Sequence, residues 1–202
     1  MSGKVFICDF NDSFTFNIFS ILKENANHID IEVIPFKPLL NFFQVMEHEE
    51  SKAVIILGPG PGHPKDYHYL YTSLKKLIIK KNFFLMGICL GHQILWEING
   101  AETDYCRTPV HGHVAHYILE NNLSEALGIP KSIFVQRYNS LAVKLSKKSE
   151  NNFRKNGWKF HIENSELIIS QSTNIVTYQF HPESIGTTCP KAFFRPVLQF
   201  LL

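Results

Sequence analysis

Three short runs, residues 5–8 (Val-Phe-Ile-Cys), 53–57 (Ala-Val-Ile-Ile-Leu) and 83–88 (Phe-Phe-Leu-Met-Gly-Ile), contain no charged or hydrogen-bonding side chain beyond one thiol, and they constrain the fold more than any other feature. A strand with one wet face alternates apolar and polar residues. A strand apolar on both faces has to be covered on both, which is the habit of parallel sheets. Between the runs the period changes. Residues 14–25 suit a helix with Asp12 or Ser13 as its N-cap, and residues 92–99 suit another that Gly100 ends. Tyr67, Leu70, Tyr71, Leu74, Leu77 and Ile78 also recur at helical spacing. With residues 29–35 as a further strand, the first hundred residues alternate strand and helix. The expected class is α/β, a mostly parallel sheet with helices on both faces.

Beyond residue 102 the segments shorten. Alternation at 114–119, 158–162, 167–170 and 175–178 predicts a mixed or antiparallel extension of the sheet. Pro190 opens a last helix with the stripe Phe193, Phe194, Val197, Leu198 and Leu201. The basic stretch Lys144, Lys147, Lys148, Arg154, Lys155 and Lys159 faces Glu150 alone and reads as a solvated loop or hairpin. No repeat or low-complexity linker divides the 202 residues, so 1–202 is read as one domain.

Composition removes several classes of function. The net charge of +2 is too small to argue for a nucleic-acid or membrane surface. Cys8, Cys89, Cys106 and Cys189 stand far apart with no CxxC pair, which argues against a disulfide framework and a structural metal site. No apolar run approaches a membrane span and no signal peptide is visible, so a cytoplasmic setting is expected.

Ligands of open parallel sheets bind beyond the carboxyl ends of the strands, so the loops that follow strands are read first. Gly58-Pro59-Gly60-Pro61-Gly62-His63-Pro64 follows the third strand. Proline fixes φ and glycine permits φ > 0, so such a loop can be rigid and still present backbone N–H groups. A tight turn that only redirects the chain has the same composition. Gly87-Ile88-Cys89-Leu90-Gly91 lies at a strand-to-helix junction with the spacing of a nucleophile elbow, cysteine standing for serine. The helix N-terminus favours a thiolate by at most ~2 kcal/mol, so a cationic or basic partner is still needed. His181-Pro182-Glu183 follows the strand that ends near residue 180. In extended chain His181 and Glu183 project to one side, where a carboxylate can orient an imidazole. Alone, this tripeptide is an ordinary surface turn. Together the three loops supply a thiol, a base with its orienter, and oxyanion donors in the N–H groups of Leu90 and Gly60.

These blocks resemble the signatures of the class I, triad-type glutamine amidotransferases. The likeness is carried by Gly58-Pro59-Gly60-Pro61, Gly87-Ile88-Cys89-Leu90-Gly91-His92-Gln93 and Phe180-His181-Pro182-Glu183-Ser184. Asp9-Phe10-Asn11-Asp12-Ser13-Phe14-Thr15 and Arg137-Tyr138-Asn139-Ser140-Leu141 resemble more narrowly the glutaminase subunits of anthranilate synthase and aminodeoxychorismate (para-aminobenzoate) synthase. The resemblance implies a flavodoxin-like fold, Cys89 as nucleophile, His181 as base and Glu183 as its orienter. It implies glutamine contacts from Gly58, Pro59, Gly60, Leu90, Gln93, Ser140 and Leu141, no metal or organic cofactor, and a chorismate-binding synthase as protein partner that receives ammonia. The family usually has histidine where Asn139 stands, and lysine and serine where His113 and Ala115 stand. Two other readings stay open at this point: a stand-alone cysteine hydrolase of γ-glutamyl bonds, and a non-catalytic subunit that binds and regulates a synthase. The residues do not decide between anthranilate and aminodeoxychorismate as the product.

Overall fold

The computed structural model describes residues 3–26 and 28–202. Its first half runs β1 (Lys4–Cys8), α1 (Thr15–Asn25), β2 (Asp30–Ile34), α2 (Leu39–Met46), β3 (Ala53–Leu57), α3 (Tyr71–Ile78), β4 (Phe83–Ile88) and α4 (Leu90–Ile98). The second half adds β5 (Glu102–Tyr105), β6 (His113–Ile118), α5 (Asn121–Leu127), β7 (Ser132–Arg137), β8 (Leu141–Lys144), α6 (Lys147–Lys155), β9 (Lys159–Glu163), β10 (Glu166–Gln171), β11 (Ile175–Tyr178), α7 (Pro190–Phe193) and α8 (Arg195–Leu201). The seven-stranded sheet has the order β2-β1-β3-β4-β11-β10-β9, parallel from β2 to β11 and antiparallel in β10 and β9. This is the expected α/β class with its antiparallel extension.

Strand pleating divides the core in two. Val5, Ile7, Val54, Ile56, Phe84, Met86 and Ile88 point to the face covered by α1, α5, α7 and α8. Cys8, Ala53, Ile55, Leu57, Phe83 and Leu85 point to the face covered by α2, α3 and α4. Every residue of β3, β4 and β11 is buried, which is why these strands show no polar alternation.

Several expectations are corrected. Residues 175–178 form β11, parallel to β4 and antiparallel to β10, so the extension is mixed where it joins the parallel strands. Residues 114–119 fall largely in β6, which pairs with β7 as a separate two-stranded sheet; β5 and β8 form another. The basic stretch contains the helix α6 rather than a loop or hairpin. Ser146 caps it by accepting from the Ser149 N–H at 3.1 Å, and none of its residues is buried, so its charges are solvated as expected. Neither Asp12 nor Ser13 caps α1. The Asp12 carboxylate accepts from the Phe14 N–H at 2.9 Å, one step before the helix, as an Asx turn does. The last helix is two, α7 and α8, because Pro196 has no N–H to continue the first. Helix α2 escaped the sequence reading although Leu39, Phe43 and Met46 sit at i, i+4 and i+7 on its buried face. Helix α4 begins earlier than expected, at Leu90, and Gly100 ends it at φ +88° as read. No helix among the described residues is long and apolar enough to cross a membrane.

Candidate active site

The loops after β3, β4 and β11 converge at the carboxyl edge of the sheet. Cys89, between β4 and α4, has φ 50° and ψ −100°, a conformation that side-chain-bearing residues rarely hold. Its N–H donates to the Tyr178 carbonyl at 2.8 Å, and the Gly91 N–H donates to the Gly58 carbonyl at 3.2 Å. These bonds pin the corner to β11 and to the glycine-proline loop. Glycine is required on both sides. A Cβ on Gly87 would lie 2.6 Å from the Gly91 carbonyl oxygen, and one on Gly91 would overlap the Leu57 carbonyl.

The His181 loop sits opposite. His181 Nδ1 lies 2.7 Å from Glu183 Oε1, and both side chains are buried. This contact assigns the Nδ1 proton to the bond with the carboxylate and leaves Nε2 facing Cys89. Nε2 and Glu183 Oε2 have no hydrogen-bond partner of regular geometry among the described residues. Burial works against a charged His181, yet interaction with Cys89 and Glu183 outweighs it and holds the imidazole well above its ordinary pKa. Phe14 and Tyr138 pack their rings against the imidazole, each 5.1 Å away between centroids. Phe14 is held there by its turn: Asp9 Oδ1 accepts from the Asp12 N–H at 3.2 Å and from the Thr15 hydroxyl at 2.8 Å.

Beside Cys89 lies a cavity of about 180 Å³, bounded by Gly60, Pro61, Gly62, Gln93, Tyr138, Asn139, Ser140 and Leu141. That is below the ~300–1,000 Å³ usual for drug-sized ligands, and suits one amino acid better than a peptide. Of the seven predicted glutamine contacts, Gly60, Gln93, Ser140 and Leu141 line this cavity; Gly58, Pro59 and Leu90 do not. Gly58 instead builds the corner through its bonds to Cys8 and Gly91. The N–H groups of Leu90 and Gly60 donate to no backbone acceptor among the described residues, so both are free for a ligand. Gln93 uses both amide hydrogens on the Leu141 carbonyl (3.0 Å) and Gln179 Oε1 (3.2 Å), which leaves its oxygen for a ligand donor.

Sequence reading missed Phe14, Tyr138 and Gln179 as members of the site. Gln179 is fully buried and sets its amide 3.9 Å from Cys89 Sγ. A glutamine inside the apolar run 175–180 was the available signal. Also unforeseen is the support beneath Asn139. Asn139 donates to Cys106 Sγ (3.1 Å) and the Leu141 carbonyl (2.9 Å), and accepts from Arg137 Nε (3.0 Å). Arg137 in turn forms a buried ion pair with Glu166 at 2.6 Å and donates to the Tyr117 hydroxyl at 2.8 Å. Burial, with the Glu166 carboxylate beside it, pushes the Cys106 thiol up to about 11, so it is neutral at ordinary pH.

Among solved structures, a putative GMP synthase subunit from Thermoplasma acidophilum superposes with a TM-score of 0.77 at 18% identity, covering 100% of this chain and 94% of that one. A glutamine amidotransferase from Thermotoga maritima gives 0.68 at 14% identity over 91% and 77%. Curated relatives named anthranilate synthase component 2 are similar along nearly the whole chain. The protein from Buchnera aphidicola subsp. Schizaphis graminum is 30% identical over 98% of this chain and 96% of its own, and that from Haemophilus influenzae is 29% identical over 100% and 99%. The model of the family described as glutamine amidotransferase class-I matches residues 6–199. With that match spanning nearly its whole length, this chain belongs to the class I glutamine amidotransferases.

Proposed function

We propose that residues 1–202 form one glutaminase domain whose nucleophile, base and orienter are Cys89, His181 and Glu183. The single observation that carries this reading is the buried His181–Glu183 pair turned toward a strained Cys89 at the lip of an amino-acid-sized cavity. Cys89 Sγ attacks the side-chain amide carbon of glutamine, and the N–H groups of Leu90 and Gly60 take the oxyanion. The C–N bond breaks as His181 Nε2 gives its proton to the departing nitrogen, releasing ammonia. Water then attacks the γ-glutamyl thioester, passing a proton to Nε2, and the C–S bond breaks to give glutamate and the free thiol. The full set Gly58, Pro59, Gly60, Leu90, Gln93, Ser140 and Leu141 is proposed to serve glutamine, the first two and Leu90 through the backbone that shapes the corner.

The same reading makes ammonia the product delivered to a chorismate-using synthase, an anthranilate or aminodeoxychorismate synthase. The relatives' name, component 2, supports a separate partner. So do the exposed apolar side chains Val114, Ile118 and Phe134 on one face of the β6–β7 pair, with Ile185 two residues beyond Glu183. All four cysteines are free, which supports a reduced, cytoplasmic setting.

The test is glutamine hydrolysis by Cys89→Ser and labelling by a glutamine-like diazo-ketone. The expected results are activity lost with the fold intact, and label on Cys89 with Cys8, Cys106 and Cys189 spared. Activity of Cys89→Ser within a few-fold of the parent, or label mapped to another cysteine, would overturn the assignment.

A further inference from the structure

The backbone of His181 is held by one residue of a different sheet. Gln136, on β7, accepts the His181 N–H on its carbonyl at 2.9 Å and donates its own N–H to Thr187 Oγ1 at 3.0 Å. Thr187 Oγ1 passes its hydrogen to the His181 carbonyl at 2.7 Å, so both ends of the His181 peptide are tied through residue 136. The Gln136 side chain does more. Its Oε1 accepts from the Ser184 hydroxyl at 2.6 Å and the Gly186 N–H at 3.0 Å, while Nε2 reaches the Gly112 carbonyl at 3.4 Å. Two donors at one end and a carbonyl at the other fix which end is oxygen.

Pleating puts Gln136 on the outer face of β7 with Phe134, where a glutamine would ordinarily point to water. Here the carboxamide is turned onto the 184–186 turn instead. Gly186 makes room for it, since a Cβ there would overlap Gln136 Oε1. Two residues fifty positions apart are therefore matched to each other. Residues 181–187 form turns and an isolated bridge with no ladder of their own, and this clamp ties them to β7.

We infer that Gln136 is a positioning residue for His181, its carboxamide oxygen locking the 184–186 turn and thereby the distance and angle between imidazole and thiol. This rests on the reading of His181 as the base. Gln136 touches neither substrate nor the reacting atoms; it acts through His181.

The experiment compares Gln136→Met, which keeps length and loses the acceptor, Gln136→Glu, which keeps the acceptor oxygens, and Gly186→Ala, which displaces the carboxamide. Each is read by kcat and KM for glutamine and by the rate at which iodoacetamide alkylates Cys89 at pH 7, mapped by mass spectrometry. Gln136→Met is expected to lower kcat about 10- to 100-fold with KM within about two-fold, as misplacement of a proton carrier does. Cys89 alkylation is expected to slow in parallel, because the imidazole that faces the thiol has moved. Gly186→Ala reproduces the loss, Gln136→Glu recovers most of kcat, and the double variant Gln136→Met/Gly186→Ala is no worse than about two-fold below either single one, because both act on one contact. A kcat for Gln136→Met within two-fold of the parent, losses that multiply in the double variant, or Gln136→Glu as impaired as Gln136→Met overturns the proposal. Should the parent chain fail to hydrolyse glutamine, the functional reading falls; the alkylation rates still decide whether Gln136 holds the His181–Cys89 pair, and unchanged rates in both Gln136→Met and Gly186→Ala overturn it.

Discussion

The two sides of the cleft are held in place by different means. The Cys89 corner is built from main chain and from missing side chains: Gly87, Gly91, and backbone bonds to Tyr178 and Gly58. The His181 side is built from side chains, with Glu183 on the imidazole, the rings of Phe14 and Tyr138 packed against it, and Gln136 and Thr187 behind its peptide. A corner made by exclusion forms or fails as a whole. A loop held by hydrogen bonds can be loosened one bond at a time. The same contrast separates two buried histidines. His92, on α4 behind the corner, has Nδ1 2.7 Å from the Thr177 hydroxyl, and burial pushes its pKa down to about 3. His181 is held well above its ordinary value despite burial, by its partners.

The largest effect is expected where exclusion is strictest. Gly91→Ala drives a methyl group into the Leu57 carbonyl, so the corner cannot close and Cys89 loses its place. We expect glutamine hydrolysis to vanish and the thermal midpoint to fall steeply, by more than the ~1 kcal/mol typical of point variants. A Gly91→Ala chain of parental stability and activity would remove the distinction between the two sides.

Next comes the ion pair that carries Asn139 from below. Arg137→Met leaves Glu166 charged and buried, and breaking such a pair costs about 3–5 kcal/mol. Replacing both members by apolar residues is expected to cost less than either single change. Denaturant midpoints of the two single variants and the double one check this order.

The histidines titrate with opposite signs. With a pKa near 6.5 when unfolded and about 3 when folded, His92 contributes stability that is complete above about pH 6.5 and is lost as pH falls toward 3. The slope is at most about 1.4 kcal/mol per pH unit, hence about 2 kcal/mol between pH 6.5 and 5. His92→Gln is expected to flatten unfolding free energy against pH in that interval. His181, raised in the fold, contributes below about pH 6.5 and loses that contribution as pH rises through its folded value. A His181→Gln chain is expected to be less pH-sensitive on the alkaline side. Parallel curves for parent and variant in either window would contradict the corresponding assignment.

The smallest effect is expected at the orienter. Glu183→Gln keeps a hydrogen-bonding oxygen toward Nδ1 and is expected to lower kcat/KM by about ten-fold, whereas His181→Ala removes the proton carrier and with it about 10²–10⁴. Equal losses would show that the two residues do not divide the work as proposed.

This division also governs what could be read from residues alone. Strands β1, β3 and β4 and the Gly87–Gly91 spacing are local patterns, legible because burial on both faces and a strained corner leave their mark on adjacent residues. The supports of His181 are long-range. Gln136 reaches Ser184 and Gly186 only because β7 lies beside the 181–187 turns, and no periodicity within either segment announces it. Asn139, Arg137 and Glu166 belong to the same class: three polar residues whose burial depends on how short second-half strands pair. The four-residue β5 and β8 and the seven-residue α5 are too brief for a period to stand out.

The two rings against His181 have a use beyond holding it. Aromatic circulation shifts the magnetic resonance of nuclei nearby, and the imidazole lies within 5.1 Å of the ring centres of both Phe14 and Tyr138. The carbon-bound protons of His181 are therefore expected to resonate away from those of the exposed histidines, in a clear part of the proton spectrum. Any event that shifts the base by a fraction of an ångström, whether a bound amino acid, a docked protein or a loosened Gln136, would then be visible as a moving line in solution, with no turnover required.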